Sequence, residues 1–224
     1  TRFAKKCGFK GYREFIFKYQ QQKDALTLLQ PDMNPLTQRV LRSYTNLREM
    51  SRELIDEEQL ERVAQMIEQA ERVYFFGTGS SGLVAREMKF RFMRLGVVCE
   101  AITDPDGFAW TTSILDKNCL VFGFSLSGTT TSVIDSLLDA QDMGAKTVLF
   151  TSMLSKETQD FTETVLVANQ GQSPYIQRLS AQLPMLFVID LLYAYFLEID
   201  RESKEKIFNS YWENKKLNGY RRNR

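Results

Sequence analysis

Apolar residues recur at helical spacing before residue 72 and gather into short unbroken runs after it. From Thr37 to Leu54, the positions of Val40, Leu41, Tyr44, Leu47 and Leu54 predict an amphipathic helix. Asp56 is placed to cap a second one, EEQLERVAQMIEQA, whose Leu60, Val63, Ala64 and Ile67 share a face. Beyond Arg72, the runs RVYFFG, VVCEAI, NCLVFGF, KTVLFT and TVLVA alternate with helical stretches. Two of these stretches, SGLVAREMKFRFMRLG and TTSVIDSLLDAQDMG, each close on a glycine. Strands without polar alternation are covered on both faces, and intervening helices make the connections parallel. The pattern therefore predicts an α/β fold, a three-layer sandwich around a roughly five-stranded parallel sheet. A last pair of helices is expected near 178–199 and 203–217, with Pro184 in the first turns of the earlier one or kinking it.

The amino-terminal stretch has a different texture. Phe3 and Cys7 lie on an amphipathic pattern that Gly8 stops, and Tyr12, Phe15, Ile16 and Tyr19 begin another. Two short basic helices joined through glycines suggest the end of a helix-turn-helix unit, and the sequence is expected to begin inside a larger protein. LQPDMNP, with two prolines, reads as a linker. The expected organisation is a helical remnant over 1–22, a linker over 23–36 and one α/β domain over 37–224.

Charge sharpens this division. The whole chain carries a formal +1, yet residues 1–23 hold seven Lys or Arg against Glu14 alone. Residues 201–224 hold eight against Glu202, Glu205 and Glu213, so the intervening body is acidic on balance. A basic head suits a polyanionic partner. The longest apolar stretch, MLFVIDLLYAYFLEI, is broken by Asp190 and Glu198 and falls short of the roughly 20 residues of a membrane span, so no membrane role is expected. No secretion signal is recognisable at the amino end. Cys7, Cys99 and Cys119 are far apart and in no metal-ligand spacing, which fits buried thiols in a reducing cytoplasm. The chain contains no histidine, the commonest acid/base group and metal ligand near neutral pH.

Two loops carry candidate chemistry. GTGSSG matches G-x-G-x-x-G through Gly77, Gly79 and Gly82, between a predicted strand and helix, with Glu100 about 20 residues further on. Alone, this loop would suit NAD. GFSLSGTTT places Ser125, Ser127, Thr129 and Thr130 around Gly128 at a second strand-to-helix junction, where a helix exposes unpaired N–H groups and the positive end of its dipole. Four hydroxyls in six residues exceed the needs of capping. In an open parallel sheet, loops at the carboxyl ends of strands share one crevice. Ser80 and Ser81 with Ser125, Ser127 and Thr130 would then surround a compact dianion with neutral donors, which suits one phosphate better than a dinucleotide.

The pair G-x-G-x-S (Gly77, Gly79, Ser81) and S-x-S-G-x-T (Ser125, Ser127, Gly128, Thr130) resembles the sugar isomerase, or SIS, domain, whose ligands are phosphosugars. The head TRFAKKCGFKGYREF resembles the end of the helix-turn-helix domain of RpiR-type transcriptional regulators. The resemblance implies a phosphosugar sensor behind a DNA-binding domain, in a homodimer or higher homo-oligomer, with no cofactor and no metal. It implies that Ser81, Ser125, Ser127 and Thr130 hold the phosphate, with Gly79, Ser80, Gly128 and Thr129 shaping the loops. Arg2, Lys5 and Lys6 would touch DNA phosphates, and Thr1 or Arg2 would lie on the recognition helix. One departure is RLSAQL at 178–183, where such regulators often carry a run like SR-x-AQL; the resemblance implies that residues there reach the sugar ring, which leaves the identity of the sugar open.

The fold alone does not choose between sensor and enzyme. An aldose–ketose isomerase moves a proton between adjacent carbons and needs a positioned acid/base pair. Without histidine, only carboxylates such as Glu87, Glu100 or Asp104 remain. The expectation is therefore a non-enzymatic, sugar-phosphate-responsive regulator of carbohydrate catabolism, with a phosphosugar isomerase as the alternative and an NAD-binding regulator as a third reading.

Overall fold

The computed structural model describes residues 33–156, 158, 160–169 and 180–222, with side chains as far as 216. The expected helical remnant, with Thr1, Arg2, Lys5 and Lys6, lies outside the described residues. The chain divides into two units, Thr1–Arg48 and Glu49–Arg224.

Helix α1 (Pro35–Leu54) begins two residues before the expected Thr37: Asn34 Oδ1 accepts from the Leu36 amide at 2.9 Å, and Pro35 occupies the first turn, where its missing N–H is harmless. Of its apolar positions, Leu47 is buried while Leu36, Leu41 and Tyr44 are exposed. Helix α2 (Glu57–Gln69) is capped by Asp56, whose carboxylate accepts from the Gln59 amide at 3.0 Å. Glu57 and Glu58 complement the dipole of its first turn, and the expected face is buried.

All five predicted strands form: β1 (Arg72–Gly77), β2 (Cys99–Ile102), β3 (Cys119–Phe124), β4 (Lys146–Thr151) and β5 (Glu163–Leu166). They make one parallel sheet in the order β2-β1-β3-β4-β5. Between them run α3 (Gly79–Met93), α4 (Pro105–Thr112) and α5 (Thr131–Asp142), followed by α6 (Leu183–Ile199) and α7 (Arg201–Arg222). The strand period of two sends side chains to opposite layers. Val73, Phe75, Leu120, Phe122 and Phe124 meet α2, α3 and α6, whereas Phe76 and Val121 meet α4 and α5. All six residues of β3 are buried, as its central place requires. Ring pairs such as Phe75–Phe122 at 5.4 Å and Phe92–Phe196 at 5.3 Å fill the first layer.

Three details refine the sequence pattern. The eight-residue α4 fills the gap between VVCEAI and NCLVFGF, a helical stretch expected without bounds, and it opens at DPDG. Asp104 Oδ1 accepts from the Gly107 amide at 2.7 Å and Pro105 starts the helix, so the same letters make an N-cap. Its Phe108 is buried and stacks on Phe76 at 4.7 Å. Helix α6 starts at Leu183, with Pro184 in its first turn. Helix α7 starts at Arg201 rather than near 203 because Asp200 supplies a cap to the Ser203 amide at 3.2 Å. Among the described residues, no helix is long and apolar enough to cross a membrane.

Candidate functional site

The two glycine-bearing loops leave the same edge of the sheet from adjacent strands. β1 and β3 are hydrogen-bonded neighbours in parallel register, with Gly77 opposite Phe124, so Thr78 and Ser125 emerge side by side. Strands β1 and β3 also mark where the strand order reverses. The helices that follow them lie in opposite layers, α3 with the β1/β3 aromatic layer and α5 with the other. Such a divergence opens a crevice at the carboxyl ends of the strands.

Each glycine of the first loop has its own reason. A Cβ at Gly77 would sit 2.7 Å from the Ser81 carbonyl oxygen, and one at Gly82 would sit 2.9 Å from the Gly77 carbonyl oxygen. The strand end and the first helical turn therefore approach to backbone contact. Gly79 has φ +53°, in the left-handed region. Thr78 is the N-cap of α3, but its side chain makes no capping bond. The amides of Gly79, Ser80 and Ser81 open the helix, where N–H groups have no partner within it. Ser80 is exposed and Ser81 half-buried.

In the second loop the Ser125 amide donates to the Phe150 carbonyl at 3.1 Å, extending the β3–β4 ladder by one bond. The chain then turns: the Gly128 amide donates to the Ser125 carbonyl at 3.0 Å, with Gly128 at φ +68°. The Ser125 hydroxyl donates to Thr130 Oγ1 at 3.0 Å and accepts from the Thr130 amide at 3.3 Å. Ser127 Oγ accepts from the Thr129 hydroxyl at 2.9 Å and the Thr129 amide at 3.3 Å. Thr130 is the N-cap of α5, again without a side-chain capping bond. Ser125 and Thr129 thus give their hydroxyl protons to Thr130 and Ser127, which act as acceptors in these bonds, and no side chain of the loop caps the start of α5.

Neither α3 nor α5 has an acidic residue in its first turn. Two positive dipole ends thus meet one crevice with no carboxylate of their own to neutralise them, and no lysine or arginine lies within either loop. Of the predicted residues, Gly79, Ser80, Ser81, Ser125, Ser127, Gly128, Thr129 and Thr130 all fall at this edge. Ser125 is only 1 % exposed, whereas Ser127 and Thr129 face solvent and Thr130 is half-buried.

Two of the three candidate acid/base carboxylates have partners of their own. Glu100, the second residue of β2, is paired with Lys89 of α3. Asp104 caps α4, and Glu87 is exposed on α3. Arg178 and Leu179 of the RLSAQL segment lie outside the described residues; its Ser180 carbonyl accepts from the Leu183 amide at 3.1 Å.

A doubly wound parallel sheet with two uncapped helix starts at its switch point defines an α/β domain with an anion-compatible crevice. The chain belongs to the SIS domain family, whose model matches residues 66–195. A Haemophilus influenzae protein named as an HTH-type transcriptional regulator is 29% identical over 225 residues, covering 93% of this chain and 78% of its own length. The HTH-type transcriptional regulator RpiR of Escherichia coli K12 is 21% identical over 210 residues, covering 90% and 71%. In structure the chain is similar to the Vibrio vulnificus NanR protein complexed with ManNAc-6P, with TM-score 0.74 and 23% identity over 96% of this chain and 80% of that one. It is also similar to the sugar isomerase domain of the RpiR transcription factor from Sphaerobacter thermophilus, with TM-score 0.70 and 18% identity over 81% and 99%.

Proposed function

We propose that this chain is the effector-sensing part of a DNA-binding transcriptional regulator of carbohydrate catabolism, acting in the cytoplasm and switched by a phosphosugar. The observation that carries the reading is the pair of uncapped, acid-free helix N-termini on adjacent strands, ringed by hydroxyls. A phosphate monoester dianion brings the acceptors that such a site leaves unmatched. Ser80, Ser81, Ser127 and Thr130 are the direct donors, Gly79, Gly128 and Thr129 shape the turns, and Ser125 holds Thr130 in place. The regulator names of the relatives and the ManNAc-6P in NanR support the same reading.

Arg2, Lys5 and Lys6, with Thr1 beside them, would contact DNA through phosphates, and exposed Leu36, Leu41 and Tyr44 favour self-association. A phosphosugar that prefers one arrangement of the assembled heads would change DNA occupancy by its differential affinity, with coupling of about 1–3 kcal/mol. No acid/base pair is assigned, since Glu100 pairs with Lys89 and Asp104 caps α4.

Thermal shift with ManNAc-6P, other hexose and amino-sugar phosphates and the matching unphosphorylated sugars tests this. A binding phosphosugar at about 100 times its dissociation constant adds roughly 2.7 kcal/mol of stability, which the bare sugar does not. Incubation with the same panel should leave every phosphosugar unchanged. Product formation overturns the sensor reading in favour of an isomerase, and stabilisation by NAD alone overturns the phosphate assignment.

A further inference from the structure

The geometry points to Ser152 and Asn169 as positioning residues that aim the second loop at its anion, an assignment resting on the phosphate reading above. Ser152 follows β4 and is half-buried. Its amide donates to the Leu126 carbonyl at 3.0 Å, and its hydroxyl donates to the same oxygen at 2.7 Å. The amide bond continues the parallel ladder that already joins Phe124 to Phe150. Strand continuity needs nothing more, so the hydroxyl bond is an addition to the fold's own requirement. Asn169, beyond β5, donates from Nδ2 to Ser152 Oγ at 3.0 Å. That bond fills the acceptor side of the hydroxyl and leaves its proton for Leu126.

Leu126 lies between Ser125 and Ser127, so its carbonyl sets the orientation of the peptide that enters the hydroxyl cluster. A trans peptide is planar, with C=O and N–H opposed. Two donors hold the Leu126 oxygen toward β4, and the N–H of Ser127 therefore turns the other way, toward β1 and the first loop. This makes the Ser127 amide a donor to an anion lying between the loops. Gly128 completes the seating: its backbone lies so close to β4 that a Cβ there would be 2.9 Å from Thr151 Oγ1. Neither Ser152 nor Asn169 is assigned a contact with the ligand; both act through the Leu126–Ser127 peptide.

Calorimetric titration of the full chain with inorganic phosphate and with ManNAc-6P tests the assignment. Ser152→Ala should weaken both probes by a similar factor, about 10-fold, the worth of one well-placed hydrogen bond. Ser152→Thr, which keeps the hydroxyl, should restore affinity to within about threefold of wild type. A residue needed only for folding would lower the melting temperature without this rescue pattern in affinity. Asn169→Ala carries the same test should Ser152→Ala fail to fold, with weakened binding expected. Wild-type affinity in folded Ser152→Ala or Asn169→Ala, while Ser127→Ala binds poorly, overturns the positioning role and spares the phosphate reading. If wild type binds neither probe, the phosphate reading fails and this assignment falls with it.

Discussion

The Ser125 hydroxyl donates to Thr130 Oγ1 at 3.0 Å while accepting from the Thr130 amide at 3.3 Å, so one buried serine closes the loop that starts α5. Both bonds join residues five apart across the Gly128 turn. Replacing Ser125 with alanine opens this clasp and leaves the Thr130 amide unpaired near the core. The expected cost is about 1–2 kcal/mol of stability, with phosphosugar affinity down about 10-fold or more as Thr130 loses its fixed direction. Chemical denaturation and calorimetry on the same preparation check it. Unchanged affinity would show that Thr130 does not depend on the clasp.

Gly128 and Gly79 both have positive φ, at +68° and +53°, but their surroundings differ. A Cβ at Gly128 meets Thr151 Oγ1 at 2.9 Å, whereas one at Gly79 has no heavy atom within 4 Å. Gly79→Ala should therefore cost only the left-handed backbone, about 1–2 kcal/mol. Gly128→Ala adds a displacement of the loop from β4, so it should cost more and should also abolish anion binding. Equal denaturation midpoints for the two variants would remove the close approach from the account.

The contrast between these residues shows what the linear pattern carries. The strands were legible because each is an unbroken apolar run, and the two loops because glycine and hydroxyl residues concentrate at strand-to-helix junctions. The site's alignment was legible too, since parallel connections bring both loops to one edge. Ser152 and Asn169 were not among the candidate residues. They lie 26 and 17 positions from the groups they bond, just past the ends of apolar runs, and only the β3–β4 and β4–β5 pairings bring them to the loop. The buried role of Ser125 was hidden for a related reason: a serine that closes a turn and one that meets a ligand are the same letter. Helix α4 was legible only as an unbounded helical stretch between two strands, because its capping signal and a turn signal share the residues Asp104 to Gly107.

Cys99 yields a pH prediction. Burial pushes its thiol up from 9.0 to about 11, with neighbouring Lys89 pulling the other way. Below pH 9 both folded and unfolded thiols keep their proton, and the contribution of the neutral form is fully present. Between pH 9 and about 11 the unfolded chain releases a proton that the folded chain retains, so stability falls as pH rises. In a Cys7→Ser background, alkylation by iodoacetamide at pH 8 should be slow compared with a free peptide thiol and should accelerate toward pH 11. Alkylation at the rate of a peptide thiol at pH 8 contradicts this.

Lys204 tests what ties α7 to the domain. It is 4 % exposed, with Nζ 2.8 Å from a Glu68 carboxylate oxygen and 4.3 Å from the centre of the Phe196 ring. The approach to Glu68 is an ion pair without the alignment of a hydrogen bond, so a buried ammonium holds three protons and no well-directed acceptor. Desolvation of such a group offsets much of its attraction to Glu68. Glu68 is about one-third exposed and can be hydrated if its partner is removed. Lys204→Met keeps the aliphatic stem against the core and places a thioether on Phe196, so it should be neutral to within about 1 kcal/mol, or stabilising. Lys204→Ala removes the stem as well and should cost about 2–3 kcal/mol through the lost packing. If methionine instead destabilises as much as alanine, the charge pair and not the packing fastens α7, and the loss should then shrink at high salt.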